Sequence, residues 1–138
     1  MVGKSMVEND FFALAPNASL DDDLSDWEDM PLVGAALEGQ PRERFLRVFD
    51  ALIETPSQVR AGVWEATAYA ETLSDYPYNE IVFVVEGSIS IIDAEGVETR
   101  FGPGDSFFLK KGFNGVWRQH EKIRIFHMTV DPQQGGGD

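Results

Sequence analysis

The chain reads as an all-β protein, a single antiparallel β-barrel preceded by an extended arm. Three observations carry that reading. From Arg42 to Val130 short β-prone runs follow one another at regular spacing, glycine-bearing turns separate them, and no helical periodicity is sustained. A chain of 138 residues, 43% hydrophobic and 12% aromatic, has apolar material for one core and too little length for two ordinary domains. No internal repeat longer than a hairpin is visible, so one barrel is expected rather than two.

Taken in order, residues 1–40 form the arm. Asp21, Asp22, Asp23, Asp26, Glu28 and Asp29 are mixed there with Pro16 and Pro31, without strand or helix periodicity. The acidic cluster lacks the glycine and the terminal Glu of a calcium loop, and reads as a solvated charged turn. Phe11, Phe12, Leu14, Leu20, Leu24 and Trp27 are too apolar for a disordered tail, so parts of the arm are expected to dock on the barrel or on a neighbouring subunit. The barrel proper is expected over residues 41–130. Phe45, Arg47 and Phe49 alternate with Arg44, Leu46 and Val48, and Val59 to Ala70 is a long β-prone stretch. The run Glu80 to Gly87, E-I-V-F-V-V-E-G, leads to a turn, to the β-rich Ser88 to Asp93, and to a second turn at Ala94-Glu95-Gly96. Ile81 to Val85 is apolar on both parities, so something must cover its outer face, and the arm or the second subunit of a homodimer is expected there. Phe101 to Trp117 supplies a Pro-Gly-Asp corner, a strand and a Lys-Lys-Gly turn. Asp105 is expected to bond backbone amides at that corner, a turn role rather than a catalytic one. Lys122 to Val130 closes the barrel, and residues 131–138 form a glycine-rich tail.

Two spacings in these runs point to a family: Glu80, six residues, Gly87; then Gly104-Asp105 and a glycine, Gly112, seven residues after the Asp. They resemble the two motifs of the cupin superfamily, which implies a jelly-roll barrel. Gly62-Val63-Trp64-Glu65-Ala66-Thr67, Gly112-Phe113-Asn114-Gly115-Val116-Trp117 and Lys122-Ile123-Arg124 narrow the resemblance to the ureidoglycine aminohydrolase-like cupins, over roughly Gly39 to Val130. That resemblance implies a manganese-dependent reaction whose ligands would fall at Ser74, Tyr76, Glu80 and Gly115. Only Glu80 coordinates strongly, far short of the three or four protein ligands a transition metal usually has. Neither His120 nor His127 falls at a ligand position. No metal and no other cofactor is therefore expected.

Without a metal, catalysis would rest on acid–base or electrostatic chemistry. Glu80, at the start of a strand with Val82 and Val84, is the candidate acid or base, because burial of a carboxylate favours its protonated form. His127 is the weaker candidate; as a strand histidine its plainer role is a hydrogen bond to a neighbour. Trp64, Tyr76, Tyr78 and Trp117 lie nearest the motif ends. With Glu80 they are expected to line a pocket for a small amine- or amide-type metabolite, through stacking and cation–π contact.

Composition excludes other classes. With no cysteine there is no disulfide, thiolate metal site or cysteine nucleophile. A formal charge of −13 argues against nucleic acid, whose phosphates are held by clustered Lys and Arg. No apolar run is long enough to span a bilayer and the N-terminus lacks a secretory apolar region, so no membrane association and a cytoplasmic location are expected.

Overall fold

The computed structural model describes residues 24–49 and 57–132. Expectations for Phe11, Phe12, Leu14, Leu20 and the tail from Gln133 lie outside them, whereas Asp131 and Pro132, expected in the tail, belong to the last strand. Eleven strands occur there and no helix: β1 (Glu28–Asp29), β2 (Ala35–Glu38), β3 (Arg42–Phe49), β4 (Ser57–Ala66), β5 (Tyr69–Leu73), β6 (Asn79–Glu86), β7 (Ile89–Asp93), β8 (Glu98–Phe101), β9 (Ser106–Leu109), β10 (Gly115–Gln119) and β11 (Ile123–Pro132). They form two antiparallel sheets, in the orders β1-β3-β4-β11-β6-β9 and β2-β5-β10-β7-β8. This is the all-β architecture read from the sequence, a jelly-roll sandwich. No helix among the described residues is long and apolar enough to cross a membrane.

The pleat explains which side chains meet. Along β6, Glu80, Val82 and Val84 are buried while Ile81 and Phe83 face outward. The buried set packs between the sheets with Tyr69, Leu73, Ile89, Leu109, Trp117, Ile123 and Ile125. Strand β11 sits at the centre of its sheet, paired along its length with β4 and β6, and so is apolar on both faces. Ile123 and Ile125 point inward, whereas Phe126 packs outward on Ala61, Val63 and Leu24.

The long run Val59 to Ala70 is broken at Thr67-Ala68 into β4 and β5, which belong to different sheets. The expected arm is described from Leu24 onward, and there it adds an edge strand to each sheet: β1 pairs with β3, and β2 with β5. Between them the backbone at Gly34 runs so close to β5 that a Cβ would stand 1.7 Å from the Thr72 carbonyl oxygen. On the outer face the arm's Trp27 lies under the Arg44 guanidinium, 4.9 Å from ring centroid to Cζ. Beneath it Glu65 is wholly buried and accepts from Arg44 Nε at 2.8 Å and from Arg124 Nε at 2.5 Å. This cover is partial. Ile81, Phe83 and Phe108 remain 37%, 45% and 58% exposed on the same face.

The Pro-Gly-Asp corner behaves as expected. The Asp105 carboxylate accepts the Gly102 N–H at 2.8 Å and the Asp105 N–H closes the turn onto the Gly102 carbonyl.

Candidate functional site

A two-lobed cavity opens on the inner face of the six-stranded sheet. One lobe, about 200 Å³, runs between the sheets against Leu73, Trp117 and Ile125 and is capped by Met30, Pro31 and Val33 from the β1–β2 connection. The other, about 260 Å³, is bounded by Phe45, Arg60, Gly62, Tyr78 and Thr129. Glu43, Trp64, Tyr76, Glu80 and His127 line both and form the waist between them. All six residues singled out from the sequence, Trp64, Tyr76, Tyr78, Glu80, Trp117 and His127, thus surround one space.

Each is placed by its strand. Glu80 opens β6 on the inward parity, and only 9% of its side chain is exposed. Its partner is Tyr76, whose hydroxyl donates to Oε1 at 2.5 Å. Tyr78 packs edge-on against Tyr76, with ring centroids 5.9 Å apart. Burial, and then the Glu80 charge beside it, push the Tyr76 hydroxyl far above its ordinary pKa. Tyr76 is therefore a neutral donor at any working pH.

His127 projects from β11, whose register sets it opposite Val82 of β6. Its Nδ1 lies 3.2 Å from Glu80 Oε2, yet it is buried and makes no aligned hydrogen bond. The neighbour that the strand histidine meets is thus a carboxylate at a cavity wall. His120, by contrast, sits at the far end of β10 and bonds Ser90 Oγ at 2.7 Å.

The aromatic walls are held by their polar edges. Trp117 Nε1 donates to Gln119 Oε1 at 2.9 Å, and the Gln119 amide is buried against the Ala66 and Thr67 carbonyls. Trp64 packs edge-on against Trp117 at 6.2 Å and donates its indole N–H to Glu43 Oε1 at 2.7 Å. Trp117 therefore belongs both to the core and to the cavity lining.

Two lining carboxylates escaped the sequence reading. Glu43 shares the parity of Phe45 on β3, a signal that could have placed it inward. Glu71 had no such signal. Its Oε1 accepts the backbone N–H groups of Val33 and Gly34 at 3.0 and 2.8 Å, and its Oε2 accepts the Tyr69 hydroxyl at 2.9 Å. It fastens the β1–β2 connection over the cavity.

The donor set does not suit the metal that the cupin resemblance implies. Of the four corresponding positions only Tyr76 and Glu80 line the cavity, Ser74 is exposed, and Gly115 carries no donor side chain. His127 contacts Glu80 itself, and no three His, Asp or Glu side chains among the described residues group as metal ligands. What the arrangement offers is negative charge at the waist, neutral donors, and aromatic faces.

Comparison with known proteins places the chain in a family. No curated protein matches the chain. Among solved structures, a protein of unknown function from Pseudomonas syringae pv. tomato superposes with a TM-score of 0.66 at 20% identity, covering 76% of this chain and 44% of that one. The chain thus spans less than half the length of that relative. The Clostridium difficile EutQ protein gives 0.55 at 20% identity, covering 71% and 69% of the two chains. A putative ethanolamine utilization protein from Salmonella typhimurium gives 0.54 at 18%, covering 66% and 71%. These likenesses establish a shared fold, and residues 54–125 match the model of one family directly. The chain belongs to the EutQ-like cupin domain family.

Proposed function

We propose that this cupin binds a small amine- or amide-type metabolite in the two-lobed cavity, against Glu80 and Trp117, with His127 beside Glu80 and Tyr78 in the outer lobe. The single observation that carries the reading is the Glu80 carboxylate, nine-tenths buried and held by a neutral tyrosine hydroxyl, facing a space walled by Trp64 and Trp117. A buried carboxylate of this kind is stabilised by a cation or a polarised N–H, and the indole faces supply cation–π attraction. Phosphates fit poorly, because the waist is acidic and no helix N-terminus faces it among the described residues.

Thermal-shift and tryptophan-fluorescence titration with ethylamine, ethanolamine and acetamide test this. Ethanolamine belongs in the panel because the Salmonella relative is named for its utilization. E80Q removes a charge-assisted hydrogen bond, on the order of 1.5–3 kcal/mol, and should weaken binding about tenfold to a hundredfold. W117L should weaken it less. Affinity unchanged in both variants places the site elsewhere.

One observation favours a second reading, an enzyme of the ureidoglycine aminohydrolase-like type. The Tyr76 hydroxyl bonds the Glu80 carboxylate, and the His127 imidazole lies 3.2 Å from the other carboxylate oxygen at the cavity wall. Ammonia release from ureidoglycine, abolished in E80Q, would support it.

A further inference from the structure

Three carboxylates line the inner lobe, and they are not equivalent. Glu71 has both oxygens occupied by three donors and is a fastening. Glu80 has the Tyr76 hydroxyl and the His127 contact. Glu43 has one neutral donor, the Trp64 indole, and among the described residues no ion pair reaches it. Arg60, the guanidinium lining the outer lobe, has a partner of its own. A half-buried carboxylate without a countercharge in a largely apolar space gains most from a cation that arrives with the ligand.

The placement of the two open carboxylates matters as much as their charge. Glu43 comes from β3 and Glu80 from β6, with β4 and β11 between them. Glu43 is in register with Ile123 through Ala66, and Glu80 with Thr129, so their backbones stand three strand spacings apart across the sheet and six residues apart along it, and the side chains enter the shared waist from two sides. Trp64, bonded to Glu43 and lining both lobes, lies along the path between them. A monoamine can meet only one of these acceptors.

Resting on the amine reading of the cavity, we propose that Glu43 is its second anchor. The ligand class is then a linear organic cation with an ammonium or strong donor at each end, a diamine rather than a monoamine. Glu80 takes one end, Glu43 takes the other, and the intervening methylenes lie against Trp64. Glu43 thereby sets both the preference for two charges and the preferred chain length.

The test is isothermal titration calorimetry of the full chain with putrescine and cadaverine against butylamine and pentylamine, for the wild type, E43Q, E43D and E80Q. Wild type should bind a diamine at least about tenfold tighter than the monoamine of equal length, about 1.4 kcal/mol. E43Q should erase that advantage, and E80Q should weaken both series. E43D, which keeps the charge but withdraws it by one methylene, should shift the optimum toward the longer diamine. Monoamine binding without a diamine advantage, or an advantage retained in E43Q, overturns the role given to Glu43 and leaves the amine reading standing. Failure of every amine to bind overturns that reading, and this inference with it.

Discussion

Replacing Glu65 by Gln isolates the charge at the centre of the outer-face ion triad while keeping its shape. Glu65 is 1% exposed at the side chain, Arg124 3% and Arg44 20%, so solvent does little to screen the group. Each guanidinium donates to a different carboxylate oxygen, Arg44 to Oε1 and Arg124 to Oε2. A glutamine side chain offers one carbonyl oxygen and turns an NH₂ toward the other arginine. Breaking a buried ion pair in this way costs about 3–5 kcal/mol, because a desolvated charge loses its partner. For a domain of this size 1 kcal/mol corresponds to a few degrees of Tm, so E65Q should melt about 10–20 °C lower, with the urea midpoint reduced in parallel. R44Q, which removes the more exposed partner, should cost less. Calorimetric melting of both variants beside wild type is the assay. A Tm loss below about 3 °C for E65Q, with a native circular dichroism spectrum, would refute the argument that the triad holds β3, β4 and β11 together.

Three further outcomes follow from the structure. Tyr69 and Tyr76 are both pushed far above the ordinary tyrosine pKa, burial first and a neighbouring carboxylate second. The folded state therefore keeps protons that the unfolded chain releases above pH about 10; stability is intact below that pH and falls above it, by about 1.4 kcal/mol per pH unit for each tyrosine, and Y76F should flatten the slope in alkaline urea titrations. Gly87 turns β6 into β7 at φ 85°, where an added Cβ would meet the Lys122 carbonyl oxygen at 2.3 Å, so G87A should lower Tm by several degrees. Finally, Ile81, Phe83 and Phe108 leave an apolar patch on the outer face; we expect a homodimer there, with light scattering giving a dimer for wild type and a monomer for a doubly substituted F83D/F108D chain.

Much of this architecture was legible because strands and turns announce themselves locally. The Gly104-Asp105 corner and the strand at β6 needed only turn chemistry and β-propensity. Glu80 and Trp117 could be paired from motif position alone. What stayed hidden depends on long-range pairing. Nothing near Glu71 reveals that its carboxylate will meet the amides of Val33 and Gly34, 38 and 37 residues earlier. Nor do the two residues of β1, or the Ala-Ala of β2, stand out from the acidic segment around them until β3 and β5 offer edges to pair with. The two-sided apolarity of β6 raised an expectation of cover that the described residues do not meet at Ile81 and Phe83, because a sequence does not show how far Leu24 and Trp27 extend across that face.

Glu71 also bears on what family resemblance can transfer. The residues that match the EutQ-like model span 54–125, yet Met30, Pro31, Val33 and Glu43, which cap and line the cavity, all precede them. Glu71 is the point at which the residues that match the family model take hold of the segment before them. Two proteins could agree throughout the matched region, keep the same Glu80 and the same tryptophans, and still present different cavities, because a wall of the pocket is borrowed from upstream sequence. On the proposed reading of the cavity, selectivity rests partly on the junction between the residues that match the family model and the segment before them, and a ligand found for one relative carries over only where that segment is fastened in the same way.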